Sequence, residues 1–537
     1  MLNLLRLLIS RTPKEIDSLE DVKKEEFDFN DIDFYFKNKD QSASYQVIED
    51  NTINDIDFKK LFLFVDRTTS KIGQQYLYNK LLIINRNPNF EEQENVINYF
   101  EANETIKNSV RKELSTLNNK NAYCLAHLFL VNFVNPPKKF VIIKLLSVLA
   151  IICSIGLLFT LKCLIVLIPI FGLNMFLHYR FKKYLYMYTN SMPQLAKLRK
   201  CVKKILQIGI PIESTTEVHK SLKKLQKINL SIFILESNNS SEFTLVIWAL
   251  IEYVKILFLI EPLLVFNILK RLDQSKSDIQ SLYEYLGKID SVLSISALRK
   301  KSPYFCIPTI SKLRTDLSFT KIYHPLVSNC VSNSLIVEDK SILLTGSNMS
   351  GKTTFIRSIA ISTIFGQTIN TCFAKNYKIW PMKIFSSIRI SDNVSESKSF
   401  YFQEVKTIKE MINWCQLESN NLYLLDELFK GTNTIERIAA GKAVLSYMSK
   451  DNIVFVSTHD IELTGLLNGG YDLYHFTEVI HNEEVQFDYM IKTGSLKTRN
   501  AIKILEMNGF PQSVINEANK IAIQQVELFE GAPQLYR

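Results

Sequence analysis

The 537-residue sequence predicts an α+β multidomain protein: a helical core carrying a transmembrane helical hairpin, then an α/β P-loop domain. Three observations predict it. No strand-rich pattern occurs before about residue 300. A nearly uncharged apolar stretch runs from Phe140 to Leu177. A strand, a glycine loop and a helix follow one another between Ser341 and Gln367.

The last of these organises the chain. Gly346, the four residues Ser347, Asn348, Met349 and Ser350, and then Gly351, Lys352, Thr353 and Thr354 have the spacing of a phosphate-binding P-loop. Ser341 to Leu344 reads as the buried strand before it, and Phe355, Ile356, Ile359 and Ala360 recur at helical spacing after it. In such a loop the backbone N–H groups and the helix N-terminus face the phosphates, Lys352 neutralises charge, and Thr353 ligates magnesium. ATP and Mg²⁺ are therefore the expected cofactors, bound from Gly346 to Thr354.

Asn421 to Leu425 is an apolar strand ending in Asp426 and Glu427, 74 residues after Lys352. In a P-loop enzyme the first carboxylate holds Mg²⁺ and the second orients or deprotonates the attacking water. A third strand, Asn452 to Val456, leads into Ser457, Thr458 and His459, which places His459 at the γ-phosphate. The catalytic residues expected are Lys352, Glu427 and His459, and the metal ligands Thr353 and Asp426.

Hydrophobic residues make up 47% and charged residues 22%, which excludes a disordered chain. The net charge is +10, from 64 basic and 54 acidic residues. It is uneven: residues 14 to 60 carry 7 Lys against 14 Asp or Glu, and Arg180 to Lys227 carries 12 Lys or Arg against Glu213 and Glu217. That basic run suits anionic headgroups or nucleic-acid phosphates equally. Eight scattered cysteines with no C-x-x-C pair give neither a zinc site nor a disulfide framework and fit a reducing compartment. Met1 to Ser10, interrupted by Arg6 and lacking a small-residue cleavage site, reads as a first helix rather than a signal peptide.

In chain order, residues 14 to 56 read as acidic and loop-rich. A helical pattern then runs from Asp57 to Leu82, with Leu61, Phe62, Phe64, Val65, Ile72, Tyr76, Leu77 and Leu81 as core candidates. Val141 to Leu161 holds one charge, Lys144, and Cys163 to Leu177 holds none. About 20 apolar residues span a bilayer, so residues 138 to 180 read as a re-entering membrane hairpin. Lys138, Lys139, Arg180, Lys182 and Lys183 place both of its ends on the cytoplasmic side. Phe243 to Leu269 is apolar too, but Glu252, Lys255 and Glu261 interrupt it, which favours a core or interfacial helix. Asp273 to Arg299 reads as a long amphipathic helix.

These motifs, taken together, resemble the DNA mismatch repair MutS family. Tyr323, His324, Pro325, Leu326 and Asn333 resemble its lead-in to the P-loop, and Asn348-Met349 is the pair that marks its loop, although Ser347 and Ser350 stand where the family has Pro and Gly. Ser399 to Glu404 resembles the segment whose serine reaches the partner subunit's nucleotide. Asp426 to Thr434 and Ser457 to His459 resemble two further family elements, and Tyr489 to Ala518, with Gly494 and Asn508 to Pro511, resembles its C-terminal helix-turn-helix. Phe64 to Leu77, with Asp66, Thr68 and Gly73, resembles the start of the family's helical core.

The resemblance implies a homodimeric ATPase in which Ser399 completes the neighbour's site and DNA is a partner. The roughly 56 residues before the helical core are too few for the family's mismatch-reading and connector domains, and Phe90-Glu91-Glu92, its wedge pattern, falls in a helical context. The expected organisation is therefore 1–56 acidic segment, 57–310 helical core with the 138–180 hairpin contacting lipid, 311–497 ATPase domain of the ABC/MutS type, and 498–537 dimerisation segment. The ATPase domain is expected in the cytoplasm, attached to the inner membrane. Two competing classes are an ABC-type transport ATPase and a membrane-anchored ATPase scaffold without DNA function. The first expects a Leu-Ser-Gly-Gly-Gln signature before the Asp-Glu strand, and Ser395 to Glu404 has no glycine pair.

Overall fold

The computed structural model describes residues 27–86, 88–131, 140–184, 186–213, 215–228, 242–311, 316–347, 349–388, 400–481, 484–496, 502, 505–506 and 508–530. It divides into two units. The first comprises Met1–Ser44, Phe62–Ile83 and Asn87–Lys301, and the second Tyr45–Leu61, Ile84–Arg86 and Ser302–Arg537.

The first unit is helical. Its centre is the pairing of helix Lys71–Leu82 with the long helix Lys276–Lys301, which buries Leu77, Leu81, Ile279, Leu282, Tyr283, Leu286 and Ile289. The continuous helix expected from Asp57 to Leu82 is instead two, Phe58–Val65 and Lys71–Leu82. The break has a polar cause. Buried Asp66 accepts from Thr68 N and Thr68 Oγ1, and buried Asp290 accepts from Thr69 N at 2.8 Å and from Ser70 N at 2.7 Å. Those N–H groups are satisfied by carboxylates rather than by a helical ladder, and Ser70 then caps the second helix through Gly73 N. The close approach leaves no room for a side chain at residue 73, where a Cβ would lie 2.2 Å from Asp290 Oδ2. Asp290→Ala strands three donors, the part-buried Thr69 N and the buried Ser70 N and Oγ. It should cost about 3–5 kcal/mol, read as a lowered urea or thermal midpoint. Phe64 and Tyr76, expected in the core, are half-buried.

Residues 27 to 56 are less loop-like than expected, because Asp28 caps a helical turn at Phe29–Ile32 and further short helices form at Phe34–Asn38 and Asp50–Asp55. Nor does this segment stay together, since Tyr45–Leu61 belongs to the second unit. There Asp55 accepts from Ser386 Oγ at 2.6 Å and Ile388 N at 3.0 Å, while the Gln46 amide brackets both backbone groups of Ile384.

The apolar stretch forms helices Phe140–Gly156 and Leu164–Tyr184, packed on each other and on helices Glu242–Leu257 and Ile260–Asp273. Residues 132–139, the start of the expected hairpin, lie outside the described residues. Little of the second helix is covered: over the span Leu161–Phe181 only 17% of its most apolar stretch is buried. Val141, Leu145, Val148, Ile152, Ile165 and Ile168 face outward, and the turn exposes Leu158 and Phe159 at 82% and 85%. The charges interrupting the Phe243 to Leu269 stretch turn inward instead: buried His178 Nε2 lies 3.4 Å from Glu252 and 3.6 Å from Glu261, and Lys255 lies 3.7 Å from Glu252.

The second unit is built on a six-stranded sheet in the order Lys492–Thr493, Tyr471–His475, Ser341–Thr345, Ile453–Ser457, Leu422–Asp426, Ile384–Ser387. All neighbours pair parallel except the Lys492–Thr493 edge. The three central strands are buried along almost their whole length and apolar except at their ends, where Ser341, Thr345, Asp426 and Ser457 stand, as strands covered on both faces should be. A second, four-stranded sheet, not foreseen, orders Thr309–Ile310, Asn376–Ile379, Leu317–Ile322 and Asn333–Val337. Its strand Asn333–Val337 alternates buried and exposed positions, the mark of one covered face. Beyond the sheets, helix Gln512–Glu530 follows a turn with Gly509 at φ 74°, and the partner helix of the expected helix-turn-helix falls largely on residues outside those described.

Candidate active site

Strand register brings the motifs together. Ser457 pairs with Leu344 on one side and with Asp426 on the other, so three strands end at one level of the parallel sheet. Ligands of such sheets bind at the carboxyl ends of the strands, and Ser341–Thr345 runs there into the glycine loop. Gly346 has φ 148°, and a Cβ on it would lie 2.5 Å from the carbonyl oxygen of Phe476. Gly351, at φ 103°, opens helix Lys352–Ile369. Both positions require glycine. Asn348 lies outside the described residues, and Met349 projects outward at φ 68°.

Lys352 is buried and folds back on the loop, its Nζ donating to Gly346 O at 2.7 Å and Ser347 O at 2.8 Å. Burial pulls its pKa below the ordinary lysine value, against the opposite pull of Asp426, Glu427 and Glu478. Thr353 Oγ1 donates to Asp426 Oδ2 at 2.7 Å, and Ser457 Oγ donates to Asp426 Oδ1. Thr353 and Asp426 thus present adjacent hard oxygens at the mouth of the loop. That donor set fits Mg²⁺, which takes one or two protein oxygens and fills its octahedron with water and phosphate.

Glu427 adopts φ 53°, its N–H held by Ser457 O at 2.9 Å. His459 Nε2 lies 2.8 Å from its Oε1 and Lys430 Nζ lies 3.0 Å from its Oε2. The hydrogen bond from His459 brings its pKa down to about 2, assisted by Lys430 and opposed by burial. Buried Glu404 accepts from Phe429 N, and burial pushes its pKa up. Helix Phe400–Leu417 is thereby tied to the loop that follows Glu427. Ser399, at the head of that helix, lies outside the described residues.

Beside the loop opens a cavity of about 490 Å³, lined among others by Ile322, Val327, Cys330, Thr354, Glu427 and Tyr489. Asn333 shapes it, donating to Tyr489 O at 3.0 Å and accepting from Ile491 N at 2.8 Å. Tyr489 in turn reaches Gly351, where a Cβ would stand 3.2 Å from its ring. His324 is buried, which lowers its pKa to about 4.

Sequence reasoning thus named Lys352, Thr353, Asp426, Glu427 and His459, and the structure gathers all five. It missed Ser457 and Lys430, which act on the two carboxylates. It also missed Glu478, whose Oε2 accepts from Ser347 Oγ at 2.5 Å, and the cavity wall from Val327 to Val331.

A parallel sheet whose central strands end in a glycine loop, an Asp-Glu pair and a histidine defines a P-loop nucleotide-binding domain. Residues 342–526 match the family model of MutS domain V. The DNA mismatch repair protein MutS of Leptospira interrogans serogroup Icterohaemorrhagiae serovar Lai is 29% identical over 285 residues, covering 48% of this chain and 33% of that protein. The DNA mismatch repair protein MutS of Clostridium novyi (strain NT) is 29% identical over 272 residues, covering 48% of this chain and 29% of that protein. The similarity to MutS domain V is confined to residues 342–526, and the chain spans about a third of the length of the curated relatives it matches.

Proposed function

We propose that this chain is a membrane-associated MutS-like ATPase that works as a homodimeric switch and acts on DNA. The observation that carries the reading is the meeting of Lys352, Thr353, Asp426, Glu427 and His459 at the mouth of the glycine loop, beside a cavity able to take a nucleoside. ATP lays its phosphates along Gly346 to Thr354, and its base enters the cavity between Val327 and Tyr489. Lys352 leaves the carbonyls of Gly346 and Ser347 and moves onto the phosphates. Thr353 and Asp426 would hold Mg²⁺, which would supply charge neutralisation for phosphoryl transfer. Glu427 orients water and His459 contacts the γ-phosphate. Ser399 of a second copy completes the site, and Glu404 carries its engagement to the loop bearing Glu427. DNA contact through the basic run Arg180 to Lys227 is sequence-independent.

Membrane attachment rests on the outward apolar face of helices Phe140–Gly156 and Leu164–Tyr184, with the ATPase domain on the cytoplasmic side.

The deciding measurement is ATP turnover by the purified protein with and without duplex, mismatched and branched DNA. Stimulation by DNA supports the repair-like reading, and turnover indifferent to every DNA marks a membrane scaffold. Lys352→Ala serves as control. Losing charge-assisted bonds worth about 1.5–3 kcal/mol each, it should weaken ATP binding by roughly 10- to 100-fold in a direct titration. Wild-type affinity in that variant would remove the P-loop from the mechanism.

A further inference from the structure

Eight cysteines scattered along the sequence show no pairing by spacing, yet two of them meet in the second unit. Cys306, in the segment that opens the unit after Lys301, and Cys372, just past the P-loop helix, form an isolated antiparallel bridge. Cys306 N donates to Cys372 O at 3.0 Å and Cys372 N donates to Cys306 O at 2.9 Å. Residues that exchange both backbone bonds have Cα atoms about 5.5 Å apart, inside the window of about 4.4–6.8 Å that a disulfide requires. Directly opposed residues also project to the same side of the ladder.

The two thiols have unequal surroundings. Cys372 is fully buried, with Sγ donating to Ser362 O at 3.2 Å, and a Cβ at Gly366 would lie 2.8 Å from that sulfur. Cys306 is only half-buried, so it is the one open to a dissolved reagent. The Cys372 thiol beside it holds its pKa below the ordinary cysteine value. By contrast, burial pushes the thiols of Cys124, Cys201, Cys330 and Cys415 up. Nucleophilicity at neutral pH follows the thiolate fraction together with access, and both favour Cys306.

We propose that Cys306 and Cys372 are a reversible dithiol–disulfide site that responds to peroxide, with Cys306 attacking and Cys372 resolving. The Cys306 thiolate attacks one oxygen of hydrogen peroxide: an S–O bond forms, the O–O bond breaks, and hydroxide leaves to take up the thiol's proton as water. The Cys372 sulfur then attacks the sulfenic acid at Cys306. The S–S bond forms, the S–O bond breaks, and the departing hydroxide carries off the Cys372 proton as a second water. Two thiols are oxidised and one peroxide is reduced to two waters. The bond would tie the opening segment of the unit to the segment leaving the P-loop helix, which Ser362, Gly366 and Cys372 already share. A reducing compartment keeps the pair open, so the site reports a rise in oxidant.

The test uses the full chain, reduced, then treated with hydrogen peroxide, alkylated and digested without reductant for peptide mass mapping. The expected product is one cross-linked peptide pair joining Cys306 to Cys372, reversed by dithiothreitol and lost in Cys306→Ser. Because Cys372 is wholly buried, Cys306→Ser at the half-buried position is the primary variant, and a circular dichroism spectrum matching wild type shows that it folds. The readout needs no nucleotide, so it stands or falls apart from the ATPase reading. Recovery of Cys306 as an alkylated or over-oxidised thiol with no bond to Cys372, or its pairing with any other cysteine, overturns the proposal.

Discussion

Glu427→Gln should bind ATP as wild type does and hydrolyse it slower by a factor on the order of 10²–10⁴, the usual worth of a positioned acid–base group. The substitution keeps the side chain's shape and its φ 53° backbone, and removes only the charge that His459 and Lys430 address. The same contacts limit what the carboxylate can do. A base whose pKa sits at about 2 is a weak proton acceptor at neutral pH, so while clamped it orients water rather than deprotonating it. Its ionisation should therefore put no acid limb on the turnover profile between about pH 5 and 8, the range where most enzymes are assayed. Lys430→Ala removes one of the two clamps, so the Glu427 pKa should rise toward its ordinary value and an acid limb should move upward in pH. The stability linkage has the matching sign. A carboxylate depressed on folding stabilises above its unfolded pKa of 4.5 and loses that contribution as pH falls toward about 2. Turnover in Glu427→Gln at the wild-type rate would remove this residue from the chemistry.

What the sequence disclosed and what it hid separate along a physical line. Gly346, Gly351, Lys352, Asp426, Glu427 and His459 belong to contiguous stretches in which a strand period leads into a turn or helix, so local pattern finds them. Lys430 and Ser457 lie inside those same stretches, but their roles come from strand register and from a left-handed turn at Glu427, which no linear spacing encodes. The break between Phe58–Val65 and Lys71–Leu82 was hidden because it depends on Asp290, more than two hundred residues away in sequence. The pairing of Cys306 with Cys372 was hidden likewise, since an isolated bridge leaves no alternation to read. The apolar helices show the converse. Their composition disclosed two apolar helices, while the inward turn of Glu252 and Glu261 onto His178 could be seen only once helices were packed.

That packing makes the membrane reading testable with an effect larger than any at the nucleotide site. Helix Leu164–Tyr184 has 21 residues, about 31 Å at 1.5 Å per residue, and the hydrocarbon layer is about 30 Å thick. Helix Phe140–Gly156 is shorter at 17 residues and reaches a comparable depth with the exposed turn Leu158 to Leu161. Val148 and Leu173 sit near the middle of each arm and face outward, at 53% and 47% exposure, so neither is needed for packing within the unit. An aspartate at mid-bilayer costs about 2.5–3.5 kcal/mol on the insertion scale, so Val148→Asp with Leu173→Asp should cost roughly 5–7 kcal/mol together. That corresponds to a fall in membrane partition of about 10⁴–10⁵, measured by flotation with vesicles, while ATP turnover by the released protein persists. A bilayer is the occupant that predicts this combination. Were the same face covered by protein, the two charges would unfold the chain or abolish an oligomer rather than free an active enzyme into solution. Wild-type protein that never floats, or a double variant that floats as well as wild type, would defeat the membrane reading and leave the nucleotide site untouched.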